Sequence, residues 1–165
     1  MRQLFEIDLR DYENGDGVFS RPSVRGIIFV DDNKIALVYS ENEKYYKFPG
    51  GGINKDEDKK EALIREVREE VGLIVIPESI REFGSVLRRQ KSNISPHTIF
   101  EQENFYYTCQ TENQIVEQNL DEYEVEAAFQ KIHTIAFSEI RFGMLSCRCH
   151  CFPVCPGNPD LFVRP

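Results

Sequence analysis

The sequence predicts an α/β protein of the α+β type: a mixed β-sheet sandwiched between α-helices. Three observations carry this. Short runs of alternating apolar and polar residues recur along the chain at the period of a strand. One long run, ending near Gly72, has helical spacing and lies between groups of strands. Strand and helix do not alternate regularly, as a doubly wound parallel sheet requires.

Residues 4–12 alternate as a half-buried strand does, and Asn14-Gly15-Asp16-Gly17 makes a turn. Ser23 to Val30 and Ile35 to Ser40 form a hairpin about Asp31-Asp32-Asn33-Lys34. Tyr45 to Phe48 is a short strand that runs into Pro49-Gly50-Gly51-Gly52, which no regular element continues. A helix follows, with Asn54 as its cap and Glu57 three residues on, as in a capping box. Ile64, Val67 and Val71 give it a buried stripe, and Gly72 ends it. Leu73 to Ile76 and Ile80 to Leu87 read as strands, Arg88 to Pro96 as a polar loop, and Ile99 to Cys109 as a strand. Thr111 to Glu124 is acidic and irregular, His133 to Phe137 is a last strand, and Ser138 can cap a second helix.

The chain has 165 residues, 41% of them apolar, which suits one domain with its own core. We expect that domain over residues 1–143 and an irregular Cys/Pro-rich tail over 144–165. No apolar run nears the roughly 18 residues of a membrane span, so no membrane association is expected. Residues 1–10 carry Arg2, Glu6, Asp8 and Arg10 and hold no apolar leader, so a cytoplasmic location is expected. A net charge of −8 disfavours nucleic-acid binding through clustered cations, and no stable nucleic-acid complex is expected. An acidic chain that handles phosphates needs metal cations to screen the repulsion. Cys109 stands alone, while Cys147, Cys149, Cys151 and Cys155 crowd the tail. That odd count argues against a disulfide framework; zinc ligation by the tail and His150 is a minor alternative, since the spacing lacks paired Cys-x2-Cys knuckles.

The chemistry concentrates between Gly51 and Leu73, which read GGINKDEDKKEALIREVREEVGL. At about 100° per residue, Glu69 and Glu70 lie about −60° and about +40° from Glu66, so the three carboxylates share one face, away from the apolar stripe. Like charges so placed repel unless a cation binds among them. Hard oxygen ligands favour Mg²⁺, Mn²⁺ or Ca²⁺ over zinc, and a phosphate-handling site suits Mg²⁺ best, with Mn²⁺ as a substitute. Gly50, Gly51 and Gly52 let backbone approach a metal or phosphate closely. Arg25, on the first hairpin strand, is a candidate phosphate contact.

The spacing Gly-x5-Glu-x7-Arg-Glu-U-x-Glu-Glu-x-Gly-U, with U aliphatic, falls on Gly51, Glu57, Arg65, Glu66, Val67, Glu69, Glu70, Gly72 and Leu73. This resembles the signature of the Nudix hydrolases. The resemblance implies the Nudix fold and Mg²⁺-dependent hydrolysis of a nucleoside diphosphate linked to a further moiety X. It implies Glu69, Glu70 and the Gly50 carbonyl as metal ligands, with Glu66 as a further ligand or the base that activates water. It gives Arg65 the task of orienting a carboxylate, Gly51 and Gly52 contact with substrate, and Glu57 the bracing of loop and helix. It calls for one more carboxylate downstream, for which Glu122 is the choice among Glu101, Glu103, Asp121 and Glu124. Partners are then a nucleotide substrate and a second copy in a homodimer. Residues marking ADP-ribose and dinucleoside-polyphosphate subgroups are absent at Leu87-Arg88-Arg89 and Gln90-Lys91-Ser92, which leaves X open. The alternative is a Nudix-fold sensor that binds a nucleotide or metabolite without cutting it.

Overall fold

Alternating side chains put apolar residues on both faces of one sheet, and the helix covers one of those faces. The computed structural model describes residues 1–31, 34–42, 44–120, 122, 125 and 129–136. Ten strands are described: β1 (Gln3–Asp8), β2 (Gly17–Ser20), β3 (Ser23–Asp31), β4 (Lys34–Ser40), β5 (Tyr45–Lys47), β6 (Leu73–Val75), β7 (Arg81–Lys91), β8 (Thr98–Cys109), β9 (Thr111–Ile115) and β10 (Phe129–Ala136). Helix α1 spans Lys59–Val71, and one 3-10 turn covers Pro77–Ser79. The main sheet runs β1-β7-β8-β3-β4-β10, with β2 also on β8 and β5 also on β4. It is mixed: β8 is antiparallel to β7 and parallel to β3, and β1 is parallel to β7. β6 and β9 form a separate antiparallel pair.

β2 and β3 follow each other along one edge of β8, β2 against Thr98 to Glu101 and β3 against Asn104 to Cys109. Pro22, which has no N–H to donate, stands at the break between them. The main core joins α1 to one sheet face through Leu63, Val67 and Val71 on the helix and Val24, Ile28, Ala36, Val38 and Phe105 on the strands. Ile35 and Leu37, with the opposite parity on β4, pack with Tyr46 and Phe48 on the other face. The α+β expectation therefore holds.

Three local expectations are corrected. The helix is capped by Asp58, whose Oδ1 accepts from Lys60 N at 2.8 Å, and not by Asn54. Glu57 does accept from Asn54 N at 2.8 Å, but within the preceding loop, because Asp56 at φ 64° keeps residues 54–57 out of the helix. Arg88 to Lys91 is not a loop: it continues β7, held between β8 and β1. Thr111 to Ile115 is strand β9, which finds its partner in β6 rather than in its own sequence neighbours. The helix expected at Ser138, the tail 144–165 with its four cysteines and the candidates Asp121 and Glu124 lie outside the described residues. Among the described residues no helix is long and apolar enough to cross a membrane.

Candidate active site

The helix begins at Asp58 and stops at Gly72, whose left-handed φ of 68° suits a residue without a Cβ. Its register rotates the carboxylates through three depths. The side chain of Glu69 is 34% exposed, that of Glu66 13% and that of Glu70 1%. The buried face of α1 is Ala62, Leu63, Val67, Glu70 and Val71, so Glu70 belongs to the core side and not to a face separate from it.

Arg65 organises the outer part. Its Nε and Nη2 donate to the two oxygens of Glu57 at 2.7 and 2.8 Å, the bidentate fit of a guanidinium to a carboxylate. Nη1 donates to Glu66 Oε1 at 2.7 Å and Glu69 Oε2 at 3.1 Å, and Nη2 also reaches the Gly52 carbonyl at 3.1 Å. One cation thus fixes the loop and two of the three carboxylates. Its hydrogen bonds hold the Glu57 carboxyl below the usual range. Glu66 goes the other way: burial pushes its carboxyl up, and the charge of Glu70 adds to this, against the pull of Arg65.

Lys47 and the glycine loop organise the inner part. Lys47 Nζ donates to Glu70 Oε1, while Gly50 N donates to Glu70 Oε2 at 2.8 Å. Lys47 is only 4% exposed. The loop lies along β3: Gly51 O accepts from Val24 N at 2.9 Å, Pro49 O accepts from Gly26 N at 2.8 Å, and Gly52 bridges Ser23. A Cβ at Gly51 would collide with the Glu66 carboxylate, so that carboxylate rests directly on backbone. Arg25, expected to face substrate, is 6% exposed and donates through Nη1 to the Gly50 carbonyl. The structure uses it to hold the loop.

Glu122 is exposed. Glu101 is tied to Arg89 Nε at 2.8 Å, and Arg89 also bridges to Glu6 at 2.9 Å, which makes this trio a clamp across β1, β7 and β8. Of the tyrosines, Tyr45 and Tyr107 are core residues, and Tyr39 stacks on Tyr46 with centroids 4.7 Å apart. Lys47 is the residue that the sequence reading passed over. Its signal was parity: it shares the inward face of β5 with Tyr45, where a lysine requires a carboxylate partner.

Beside α1 opens a cleft of about 540 Å³, lined by Arg65, Arg68, Glu69, Glu117 and Asn119 among others. Glu69 faces it. No group of three or more His, Cys, Asp or Glu side chains among the described residues is gathered to hold a metal ion. The donor set nevertheless fits a hard divalent cation, with Glu66 seated in the cradle that Gly51 leaves open and Glu69 half open to the cleft.

The sequence matches the NUDIX domain over residues 20–144. An RNA pyrophosphohydrolase of Halorhodospira halophila is 43% identical over 53 residues, 32% of this chain and 29% of that protein. RNA pyrophosphohydrolases from Pseudomonas putida strains match at the same identity, and the matched region spans about a third of these curated relatives. A NUDIX hydrolase from Nitrosomonas europaea superposes with a TM-score of 0.53 at 19% identity, covering 73% of this chain and 75% of its own. A MutT NUDIX hydrolase from Burkholderia pseudomallei gives 0.53 at 16% identity, covering 74% and 88%. At these identities the two solved structures establish likeness of fold.

Proposed function

The chain belongs to the Nudix hydrolase family, and on that premise we propose that it is a Mg²⁺-dependent pyrophosphohydrolase of a nucleoside diphosphate linked to a further moiety. The observation that supports this most is the set of three carboxylates on α1, graded in depth, two of them braced by Arg65 and the third by Lys47, beside an open cleft. Glu66, Glu69 and Glu70, with the Gly50 carbonyl, are the residues that would hold the metal. A divalent cation bound there supplies charge neutralisation on the pyrophosphate and lowers the pKa of water at the site.

The chain's own residues do the rest. Glu66, where it is not itself a ligand, is the base that takes the proton from the attacking water. Arg65 keeps Glu66 and Glu69 in place by hydrogen bonds that a lysine could not reproduce in that geometry. Gly51 and Gly52 would offer backbone to the phosphates at the loop, with the Arg21 guanidinium beside Gly52. Arg68 and Asn119, which line the cleft, would meet the nucleotide. Glu122 stands as the downstream carboxylate.

The net charge of −8 favours a small nucleotide over a polymer, while the relatives named RNA pyrophosphohydrolases make a triphosphorylated RNA end the comparison of interest. The test is Mg²⁺-dependent hydrolysis of nucleoside triphosphates, dinucleoside polyphosphates, nucleotide sugars, ADP-ribose and 5′-triphosphorylated RNA. Glu69→Gln serves as the control, since Glu69 is the most exposed of the three. We expect selective turnover that the variant loses. Nucleotide binding without turnover by the folded wild-type protein would replace this reading with a sensor.

A further inference from the structure

Two ligands assigned to the metal already hold cations of the protein's own. Glu70 Oε1 takes the Lys47 ammonium, and the Gly50 carbonyl takes the Arg25 guanidinium. Glu70 has no spare oxygen on that side, because Oε2 receives Gly50 N–H at 2.8 Å. Both partners of the pair are buried, Lys47 to 4% and Glu70 to 1% exposure. A buried carboxylate without a countercharge is strongly unfavourable and is either protonated or paired, and at Glu70 the Lys47 ammonium supplies the pair.

We propose that Lys47 is a positioning residue that acts as an internal counter-cation: it occupies Glu70 in the metal-free protein and yields that oxygen when the metal binds. The inference rests on the metal site proposed above. Lys47 has two consequences in this role. It keeps the loop Pro49 to Gly52 and the inner end of α1 assembled without metal, through the chain Lys47–Glu70–Gly50–Arg25. It also competes with the metal, so that affinity is set by an exchange and not by binding to a bare carboxylate. Arg65 has no such role. Its bidentate partner Glu57 stands outside the carboxylate trio, so it keeps its anchor while Glu66 and Glu69 turn toward a cation.

The experiment is a Mn²⁺ titration followed by calorimetry and by electron paramagnetic resonance, on wild type, Lys47→Gln and Lys47→Arg. In Lys47→Gln we expect the Mn²⁺ dissociation constant to fall by about tenfold, as loss of a contact-range positive charge in a partly dry site requires. The rise in Tm on adding Mn²⁺ should be larger than in wild type, and Lys47→Arg should restore weaker binding. Unchanged or weakened Mn²⁺ affinity in Lys47→Gln would show that the lysine only orients Glu70 and would overturn the exchange. If Lys47→Gln does not fold without metal, the wild-type protein decides the matter. Its Lys47 side-chain NMR signals should move on addition of Mg²⁺, and signals that stay fixed while those of Glu69 shift overturn the proposal. A wild-type protein that binds no Mn²⁺ removes the metal site itself, a result separate from either of these.

Discussion

Glu70 is the residue on which stability and chemistry meet. Its carboxylate lies on the core face of α1 against a buried lysine, so neutralising it leaves an ammonium without a countercharge. We expect Glu70→Gln to destabilise the metal-free protein by about 3–5 kcal/mol, the range for breaking one side of a buried pair. Urea unfolding in EDTA measures this. Two of the carboxylates on Arg65 respond to pH with opposite signs. Glu57 is held below the usual carboxyl range by Arg65, so its stabilisation is present above the ordinary value and lost as pH falls through the lowered one. Glu66 is pushed up by burial, so the folded state binds its proton more tightly and ionisation costs stability as pH rises through the raised value. Metal-free Glu57→Gln should therefore lose Tm at pH 7 and approach wild type in acid. Metal-free Glu66→Gln should gain Tm at pH 7, and that gain should vanish in acid. The three glutamates were legible in the sequence because their spacing is local. The depth of each was not, because the apolar stripe read from Ile64, Val67 and Val71 differs in phase from the observed Leu63, Val67, Glu70 and Val71. Ile64 is only partly buried, and its place is taken by Leu63.

Helix α1 is held at both ends by chain that lies outside it. Asp58 caps the start, and Lys59 lies over the Phe105 ring at 3.4 Å from its centroid. We expect Asp58→Ala to cost about 1 kcal/mol, as an N-cap does, and Asn54→Ala to cost less; chemical denaturation of both variants measures the difference. At the other end, carbonyls left without helical partners are taken by the segment after β9. Val116 N donates to Gly72 O at 2.8 Å, Asn119 N to Glu69 O at 2.9 Å, and the Gln118 side chain to Glu70 O. Gly72 was readable as a stop because left-handed backbone favours glycine. The start was misplaced because Asn54 and Asp58 both precede helix formers, and only the backbone turn at Asp56 separates them. β9 was missed for a different reason: its residues Thr111 to Ile115 are mostly exposed, so they lack the apolar alternation that marks a strand.

In the whole molecule the sheet acts as a bed for one functional helix. Two strands, β3 and β5, supply the inner cations Arg25 and Lys47, while α1 supplies Arg65 and the carboxylates. A ligand that binds only this assembled arrangement stabilises it by mass action, about 2.7 kcal/mol at one hundred times the dissociation constant. Thermal unfolding should therefore rise with Mg²⁺ in wild type and much less in Glu66→Gln/Glu69→Gln, which scanning calorimetry would show. The mixed sheet was predictable from the absence of strand–helix alternation. Its order was not, since the partners of β1 lie on β7, about eighty positions on, and nothing within either strand names the other. That separation bears on how the protein is made. A ribosome adds about 5–20 residues per second, so residues 3–8 leave the exit tunnel several seconds before residues 81–91 are synthesised. β3 waits about as long for β8. Through this interval β3, β4 and β5 can already pair with one another, while β1 and β2 stand without their partners, and any factor that shields the nascent chain acts on those first two strands.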